Sequence, residues 1–216
     1  MSLIIVVGNK NYSSWSMRPW LALKKTGAPF EEVVIALDRP ETRTEIFKHS
    51  PTGRIPTLKD GDLVIWESLA ICEYLAEKFP EAGLWPADPA ARAVARAVSS
   101  EMHAGFAALR SNMPMNCRGN APGKGRAPGV QEDVNRISAI WRDCRTRFGA
   151  GGAYLFGQFS IADAMFAPVV SRFVTYQVEL DTDAKSYVNT IWADPAVSAW
   201  VESARREPWV IEKSEL

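Results

Sequence analysis

Cysteine and histidine are scarce in this sequence of 216 residues. The cysteines, Cys72, Cys117 and Cys144, are odd in number and widely spaced, and the histidines are His49 and His103 alone. A disulfide framework or a zinc site would need more such residues at closer spacing. We therefore expect no metal centre, two structural histidines, and a reducing compartment such as the cytoplasm.

The sequence also lacks a net charge and long apolar runs. Lysine plus arginine and aspartate plus glutamate each number 25, so the formal net charge is zero. Such a balance indicates no basic surface for nucleic acid. The apolar runs are too short to cross a bilayer, and MSLIIVVGN lacks the basic leader of a signal peptide. We expect neither nucleic acid nor a membrane as a partner.

Apolar and aromatic residues are abundant. The hydrophobic fraction is 47%, which is typical of a folded protein, and tryptophan occurs eight times. Most of these indoles are expected in the core, although subunit contacts also favour tryptophan.

The first eighty residues alternate between strand and helix patterns. Strands are predicted at 3–7 and 31–37, a hairpin at 56–66, and helices at 16–25, 40–50 and 67–79. Pro19 is expected in the first turn of its helix, which Gly27 ends. This order predicts a compact α/β unit with a four-stranded sheet.

Beyond a linker rich in proline and small residues, every periodic segment is helical. Helices are predicted at 91–111, 130–148, 160–176 and 195–207, and the domain limits at 1–80, 81–91 for the linker and 92–216. The intervening segment 111–130 has no periodicity, so it is either a functional loop or disordered.

Three local features of the first unit could carry chemistry. They are the hydroxyl-rich turn at Ser13-Ser14, the Ile55-Pro56 pair at the start of a presumed edge strand, and Glu67-Ser68 at a helix start. A helix start binds anions, and an outward-facing backbone can pair with an extended ligand. Each feature also has a purely structural interpretation. The serines can cap a helix, Ile55-Pro56 can form a turn, and Glu67-Ser68 can cap a helix and interact with its dipole. Their order suggests that they meet at one edge of the sheet.

This arrangement resembles the glutathione S-transferase family over nearly the whole chain: a thioredoxin-like domain, a linker and an all-helical domain. SPTGRIPTL (50–58) is similar to the family's cis-proline segment, and WESLAICEYL (66–75) to its glutamyl-binding motif. GQFSIADAMFAP (157–168) is similar to its capping box, in which Ser160 and Asp163 have a structural role.

The opening turn resembles one class of that family. YSSWSMRPWLAL is similar to the Ser-Ser-Cys-x-x-Arg signature of the zeta class, which includes maleylacetoacetate isomerases, but Trp15 replaces the cysteine. The replacement disfavours the isomerase activity and leaves no protein thiol in the turn. The resemblance implies that glutathione brings the thiol and that Ser13 or Ser14 stabilises the thiolate, with Ser13 favoured by the alignment.

The resemblance also implies the other glutathione contacts. The Ile55 backbone, preceding Pro56, would pair with the cysteinyl unit; Glu67 would meet the γ-glutamyl amine and Ser68 its carboxylate. Arg54 would meet the glycyl carboxylate or remain free at the surface.

An electrophile pocket is implied between the opening turn and the first long helix of the second domain. Its expected lining comprises Trp15, Met102, His103, Phe106 and Arg110, although Met102 and Phe106 could instead pack against neighbouring helices, an alternative that is favoured for Met102. Segment 111–130 could cover this pocket or be a solvated loop. If it covers the pocket, its basic residues could attract an anionic ligand; they are Arg118, Lys124 and Arg126.

Together these features imply a homodimeric glutathione transferase that adds the glutathione thiolate to an apolar electrophile. The alternatives are a glutathione-dependent cis–trans isomerase and a ligand-binding protein of this fold with little turnover.

Overall fold

The computed structural model describes residues 3–215, which form an α/β unit followed by a helical unit. The first contains β1 (Leu3–Gly8), α1 (Ser14–Thr26), β2 (Phe30–Ile35), α2 (Thr42–Phe47), β3 (Thr57–Asp60), β4 (Leu63–Trp66) and α3 (Ser68–Lys78). The second contains α4 (Pro89–Ala104), α5 (Ala107–Asn112), α6 (Val130–Phe148), α7 (Ile161–Tyr176), α8 (Thr182–Trp192) and α9 (Pro195–Arg206). The predicted fold class is confirmed, whereas the domain limits stay a prediction.

The sheet has the strand order β2-β1-β3-β4. β1 is parallel to β2 and antiparallel to β3, with Ile5 opposite Leu58 in the register. The expectation of an edge strand after Ile55-Pro56 is therefore wrong, because β3 lies between β1 and β4. Pro56 is tolerated because it precedes the first paired residue, Thr57, so the ladder loses no N–H donor.

Helix α1 begins two residues earlier than the sequence predicts. Ser13 is its N-cap, and its hydroxyl accepts the N–H of Ser16, while Gly27 ends the helix with φ 72°. Pro19 therefore lies in the helix interior rather than in its first turn. Because proline has no N–H, the Trp15 carbonyl lacks its usual helical donor.

The predicted single helix over 91–111 is wrong. The chain forms α4 and α5, separated by Gly105 in extended conformation and Phe106 with φ 63°. The helical pattern continues across the break, but two distant contacts stabilise the new direction. Asp133 accepts the N–H of Leu109 at 2.9 Å, and Arg110 donates to the Met102 carbonyl at 2.7 Å.

Helix α8 was not predicted, although its signals are present in the sequence. Asp181 caps it by accepting the Ala184 N–H, and Ala184, Tyr187, Val188 and Ile191 are buried at helical spacing. The other helices of this unit match their predicted positions to within two residues.

Segment 111–130 is ordered and packed rather than structureless. The N–H of Ala121 donates to the Thr175 carbonyl at 2.8 Å, and that of Gly123 to the Tyr176 carbonyl at 3.2 Å. Its apolar side chains Met113, Met115 and Cys117 are buried. The segment therefore lies against the C-terminal end of α7.

Helix α7 is the centre of the helical unit, with all but one of its residues buried. The predicted capping box is confirmed: the Asp163 carboxylate accepts the Ser160 N–H at 2.8 Å and the Leu155 N–H at 3.1 Å. One apolar cluster runs from the sheet through α1 and α3 into this unit. No helix within 3–215 combines the length and apolarity needed to span a membrane.

Candidate active site

A cleft of about 190 Å³ opens where the sequence places its three candidate features together. It is lined by Trp15, Arg54, Ile55, Pro56, Trp66, Glu67 and Ser68. The five residues that the resemblance assigns to glutathione besides the serine pair thus line one cleft together with Trp15, because the start of α1, the loop before β3 and the start of α3 meet at this edge. Trp66 was not predicted as a site residue.

Ile55 presents an unpaired backbone to this cleft. The Ile55-Pro56 peptide bond is cis, and the strand ladder begins only at Thr57. Across residues 3–215, neither the N–H nor the C=O of Ile55 forms a hydrogen bond. These two groups can pair with an extended ligand. Arg54 is exposed beside them and forms no ion pair with a described residue.

Glu67 and Ser68 form the N-terminus of α3. Glu67 has φ 68° and ψ 124°, a conformation that non-glycine residues adopt mainly at constrained functional positions. The Ser68 hydroxyl is buried and has no hydrogen-bond partner among the described residues. A helix N-terminus with a free hydroxyl suits a carboxylate, and the exposed Glu67 carboxylate suits an ammonium group.

The two serines of the opening turn differ in their bonding. The Ser13 hydroxyl is nearly buried and donates to the Ser16 hydroxyl at 2.8 Å, which in turn accepts the Gly8 N–H at 3.0 Å. Ser14 is partly exposed, and its hydroxyl forms no hydrogen bond with the described part of the chain. Both lie at the N-terminus of α1, where the helix dipole favours negative charge.

Trp15 is surrounded by basic side chains. The guanidinium carbons of Arg18 and Arg110 each lie 4.4 Å from the centre of a Trp15 ring, and the His103 ring is 5.1 Å away, edge-on. His103 also approaches Glu67, with Nε2 4.0 Å from the carboxylate. Trp15 is therefore the wall between the cleft and a basic cluster formed by Arg18, His103 and Arg110.

Arg18 is buried without an opposite charge. It is 1% exposed, and its Nε and Nη1 have no partner within 3–215. Burial, together with repulsion from Arg110 and Arg172, holds the pKa of Arg18 well below its usual range. Burial, followed by the charge of Arg18, also lowers the pKa of His103.

The remaining candidates for the electrophile pocket have structural contacts. Met102 is fully buried and Phe106 nearly so, both within the main apolar cluster. Arg110 donates to the carbonyls of Met102 and His103 at 2.7 and 3.1 Å, which closes the C-terminal end of α4. Of the expected pocket lining, only Trp15 lies in the cleft itself, and the cluster around it adjoins the cleft.

The basic residues of segment 111–130 do not form one anion site. Arg118 donates to the carbonyls of Glu207 and Trp209 at 2.6 and 3.0 Å. Arg126 pairs with Glu179 at 3.5 Å, and Lys124 is exposed. The Arg118 guanidinium is thus engaged with the chain itself rather than with the cleft.

Sequence reasoning missed Trp66 and Arg18. Trp66 is 43% exposed at the end of β4 directly before Glu67, and an aromatic residue next to a predicted binding motif was the available signal. Arg18 is the arginine of the Ser-Ser-Cys-x-x-Arg signature and stands among the apolar residues of α1, so its place in the signature and a charge on a buried face were the signals. No group of acidic, histidine or cysteine side chains in the described part of the chain is arranged to hold a metal ion.

Comparison with known proteins finds one family matching both units of the chain. Residues 12–78 match the glutathione S-transferase N-terminal domain, and residues 127–203 match the glutathione S-transferase C-terminal domain. Glutathione S-transferase F14 of Arabidopsis thaliana is 32% identical over 195 residues, which cover 86% of this chain and 73% of that protein. Maleylacetoacetate isomerase of Rattus norvegicus is 30% identical, covering 77% and 76%.

A solved structure shows the same architecture. A Burkholderia glutathione transferase homologue with bound glutathione superposes with a TM-score of 0.72 at 25% identity, covering 95% of this chain and 98% of that one. The fold is a thioredoxin-like domain joined to a helical domain, and the cleft lies at one edge of the first domain.

The chain belongs to the glutathione S-transferase family. The family predicted from the sequence is thereby confirmed, and with it an enzyme of the glutathione transferase type.

Proposed function

We propose that this protein transfers the thiolate of glutathione to a small electrophile with an apolar body. The observation that carries the proposal is the cleft in which the Ile55 backbone and the Ser68 hydroxyl are unpaired among the described residues, next to the exposed Glu67 carboxylate and the start of α1. Each group has a complementary part in a γ-glutamyl peptide with a central cysteine.

The proposed binding mode follows from these groups. The free N–H and C=O of Ile55 pair with the cysteinyl backbone, as in the addition of a strand to a sheet. The Glu67 carboxylate accepts the γ-glutamyl ammonium, and the Ser68 hydroxyl with the α3 N-terminus binds the adjacent carboxylate. Arg54 at the rim pairs with the glycyl carboxylate. Trp15 and Trp66 cover the apolar parts of the peptide.

The proposed chemistry is stabilisation of a thiolate supplied by the ligand. A free thiol has a pKa of about 8.5, so little thiolate is present at neutral pH. A hydroxyl that donates to the sulfur at the N-terminus of α1 favours the ionised form. The thiolate attacks the electrophilic carbon, the leaving group departs with its electron pair, and the thiol proton goes to solvent. No side chain of the protein forms a covalent bond.

Ser13 and Ser14 are both candidates for the hydroxyl. The family signature favours Ser13, whereas the unpaired hydroxyl favours Ser14 because that of Ser13 already donates to Ser16. We expect either Ser13→Ala or Ser14→Ala to lower kcat/KM for conjugation by about 10- to 100-fold, the effect of one hydrogen bond to a charge. The other variant should lose less than about threefold.

The experiment compares both variants with the wild type on immobilised glutathione and in a thiol-conjugation assay over a panel of electrophiles. Ser100→Ala, in the middle of α4, is the matched control. Unchanged turnover in both active-site variants would contradict the proposed chemistry. Failure of the wild type to bind glutathione would contradict the proposal as a whole, and binding without turnover would support a ligand-binding role.

Glutathione-dependent cis–trans isomerisation is the second candidate, supported by the similarity to the rat isomerase. Trp15 occupies the position of the zeta-class cysteine and lies in the cleft wall. If isomerisation is the activity, a cis dienoic acid should turn over in the presence of catalytic glutathione without consuming it. We expect conjugation to be faster than this reaction.

We further propose a cytoplasmic homodimer without a resident metal. The abundance of tryptophan and the exposed apolar side chains Phe47 and Leu63 support an apolar contact between subunits. Light scattering at micromolar concentration tests the dimer, and metal analysis of the purified protein tests the absence of a bound ion.

A further inference from the structure

The turn that leads into the serine pair is held by residues that are distant in the sequence. Asn9 and Asn11 are fully buried, although both are polar. The Asn11 side chain donates to Asn116 at 2.9 Å, and its amide oxygen accepts the Arg118 N–H at 2.9 Å. The Lys10 carbonyl accepts the Trp200 indole N–H at 2.9 Å.

Glu207 binds the backbone of this turn at two consecutive residues. It follows α9, and its carboxylate accepts the N–H of Lys10 at 2.7 Å and that of Asn11 at 3.1 Å, one with each oxygen. A carboxylate bridging two consecutive amides fixes the plane of the peptide unit between them, and such charge-assisted bonds are strong. Burial raises the pKa of Glu207, while these two amides oppose the change.

Arg118 connects Glu207 to the side chain next to Ser13. Its guanidinium donates to the Glu207 carbonyl at 2.6 Å and to the Tyr12 hydroxyl at 2.9 Å. The Tyr12 hydroxyl in turn donates to the Glu215 carboxylate. Segment 111–130 and the residues after α9 thus hold the turn from two sides.

The held turn continues directly into the proposed catalytic serines. The Ser13 N–H donates to the Asn9 carbonyl at 2.8 Å, and the Tyr12 N–H donates to the same oxygen at 3.1 Å. Any shift of Lys10 or Asn11 therefore moves the backbone of Ser13. A displacement of about 1 Å at a reacting group can cost about 100-fold in rate.

We propose that Glu207 is a positioning residue that sets where the serine hydroxyl meets the glutathione sulfur, with Arg118 as its partner. Glu207 does not touch the ligand; it acts through the amides of Lys10 and Asn11. The inference rests on the proposed function, because it assumes that the serine turn stabilises a thiolate. Residues after α9 are therefore part of the catalytic arrangement, not merely a tail.

The test is Glu207→Gln, which keeps the size of the side chain. It replaces one carboxylate oxygen with an NH2 group, which cannot accept a hydrogen bond from the backbone N–H that it faces. The pKa of enzyme-bound glutathione is measured from thiolate absorbance against pH, and the dissociation constant of glutathione by calorimetry. We expect the pKa of the bound thiol to rise by about 0.5 to 1 and kcat to fall about three- to tenfold below that pKa. Below the pKa of the bound thiol, where glutathione binds as the neutral thiol, the dissociation constant should change by less than about twofold, because the Ile55 and Ser68 contacts are intact.

Glu202→Gln is the matched control. Glu202 lies on α9, the helix that Glu207 follows; it is exposed, and among the described residues it pairs only with Arg206 on the surface. It should leave the pKa of the bound thiol, kcat and the dissociation constant unchanged. Glu207→Asp, which retains the charge on a shorter side chain, should restore part of the loss.

The outcomes separate the two proposals. If the wild type does not ionise bound glutathione, the proposed function fails and this inference with it. If the wild type does so and folded Glu207→Gln titrates identically, only the positioning role is overturned. A weaker glutathione affinity at unchanged kcat also overturns it. If Glu207→Gln does not fold, Tyr12→Phe replaces it in the test, because this change removes only the hydroxyl between Arg118 and Glu215. The pKa of the bound thiol should then rise in Tyr12→Phe. An unchanged pKa would overturn the positioning role.

Discussion

Arg18 is the residue whose environment departs most from ordinary protein chemistry. A buried cation without an opposite charge costs several kcal/mol relative to an apolar side chain, on the order of the cost of breaking a buried ion pair. Its contact with the Trp15 ring offsets only part of this cost. An unfavourable residue next to a cleft is typical of a functional site.

Arg18→Met should therefore stabilise the protein and weaken its activity. Methionine fills similar space without a charge, so we expect the free energy of unfolding to rise by about 1–3 kcal/mol in chemical denaturation. We expect the pKa of bound glutathione to rise, because a positive charge near the cleft is lost.

The comparison variant is Arg39→Met, at an exposed arginine, which should change the free energy of unfolding by less than about 0.5 kcal/mol. A destabilised Arg18→Met protein would show that Arg18 is retained for packing rather than for its charge.

Individual site residues were predictable where a short motif specifies them. Ile55, Glu67 and Ser68 were identified from local sequence, and all of them line one cleft. Arg18 matches the signature of the opening turn but received no role, because its burial away from any acidic partner among the described residues is a tertiary property. Glu207 was not identified, because its partners are distant in the sequence. Lys10 and Glu207 are 197 positions apart.

At the scale of elements, the capping box of α7 combines several hydrogen bonds on one buried carboxylate. Asp163 accepts from the Ser160 N–H, the Leu155 N–H and the Tyr187 hydroxyl. Burial nevertheless raises the pKa of Asp163 to about 6. The start of α7, the backbone at Leu155 and helix α8 thus depend on one side chain.

Asp163→Ala should be among the most destabilising single changes. It leaves two buried donors on other elements unpaired, so we expect a loss of about 3–5 kcal/mol in the free energy of unfolding, measured by urea titration. Glu132→Ala, at an exposed acid in the first turn of α6, should change this free energy by less than about 0.5 kcal/mol.

The pH dependence of stability gives an independent check on Asp163. The native pKa of about 6 lies above the unfolded value of about 3.9, so between them the native state binds more protons. The contribution of this group to the free energy of unfolding is therefore present at low pH and lost as the pH rises through 6. The slope of stability against pH over this range should be less negative in Asp163→Ala, and equal slopes would contradict the assignment.

Helices were predictable where their apolar residues recur at helical spacing and where residues typical of helix ends bound them. The limits of α6 agree with the prediction, because Gly129 and Gly149 bound a regular apolar stripe. The break between α4 and α5 was not predictable, because the periodicity continues through Phe106 while contacts from Asp133 and Arg110 decide the backbone. Helix α8 is a different case, since its cap at Asp181 was visible in the sequence.

At the scale of the molecule, the two units share one core. Trp20 of α1 and Trp200 of α9 lie edge to face, 5.2 Å apart, with the Lys10 ammonium 5.0 Å from the Trp20 ring. The same apolar cluster includes the sheet, α1 and α7. This continuity predicts that the units unfold together.

Chemical unfolding should show one transition with the same midpoint by tryptophan fluorescence and by far-ultraviolet circular dichroism. Trp200→Ala should lower the free energy of unfolding by about 3–5 kcal/mol without splitting the transition, because it opens a cavity and frees the Lys10 carbonyl. Val210→Ala, at an exposed side chain, should have little effect. Two separate midpoints in the wild type would contradict a shared core.

The sequence by itself determined the fold class, most of the helices and strands, the family and most of the residues that line the candidate cleft. These depend on local causes: alternation, caps, and motifs of two or three neighbouring residues. Only the tertiary structure decided that β3 is an interior strand, that Arg18 is buried without a counter-charge, and that Glu207 and Arg118 hold the serine turn. The physical reason is that hydrogen bonding and burial at these positions depend on which distant segment packs against them, and no local pattern encodes that choice.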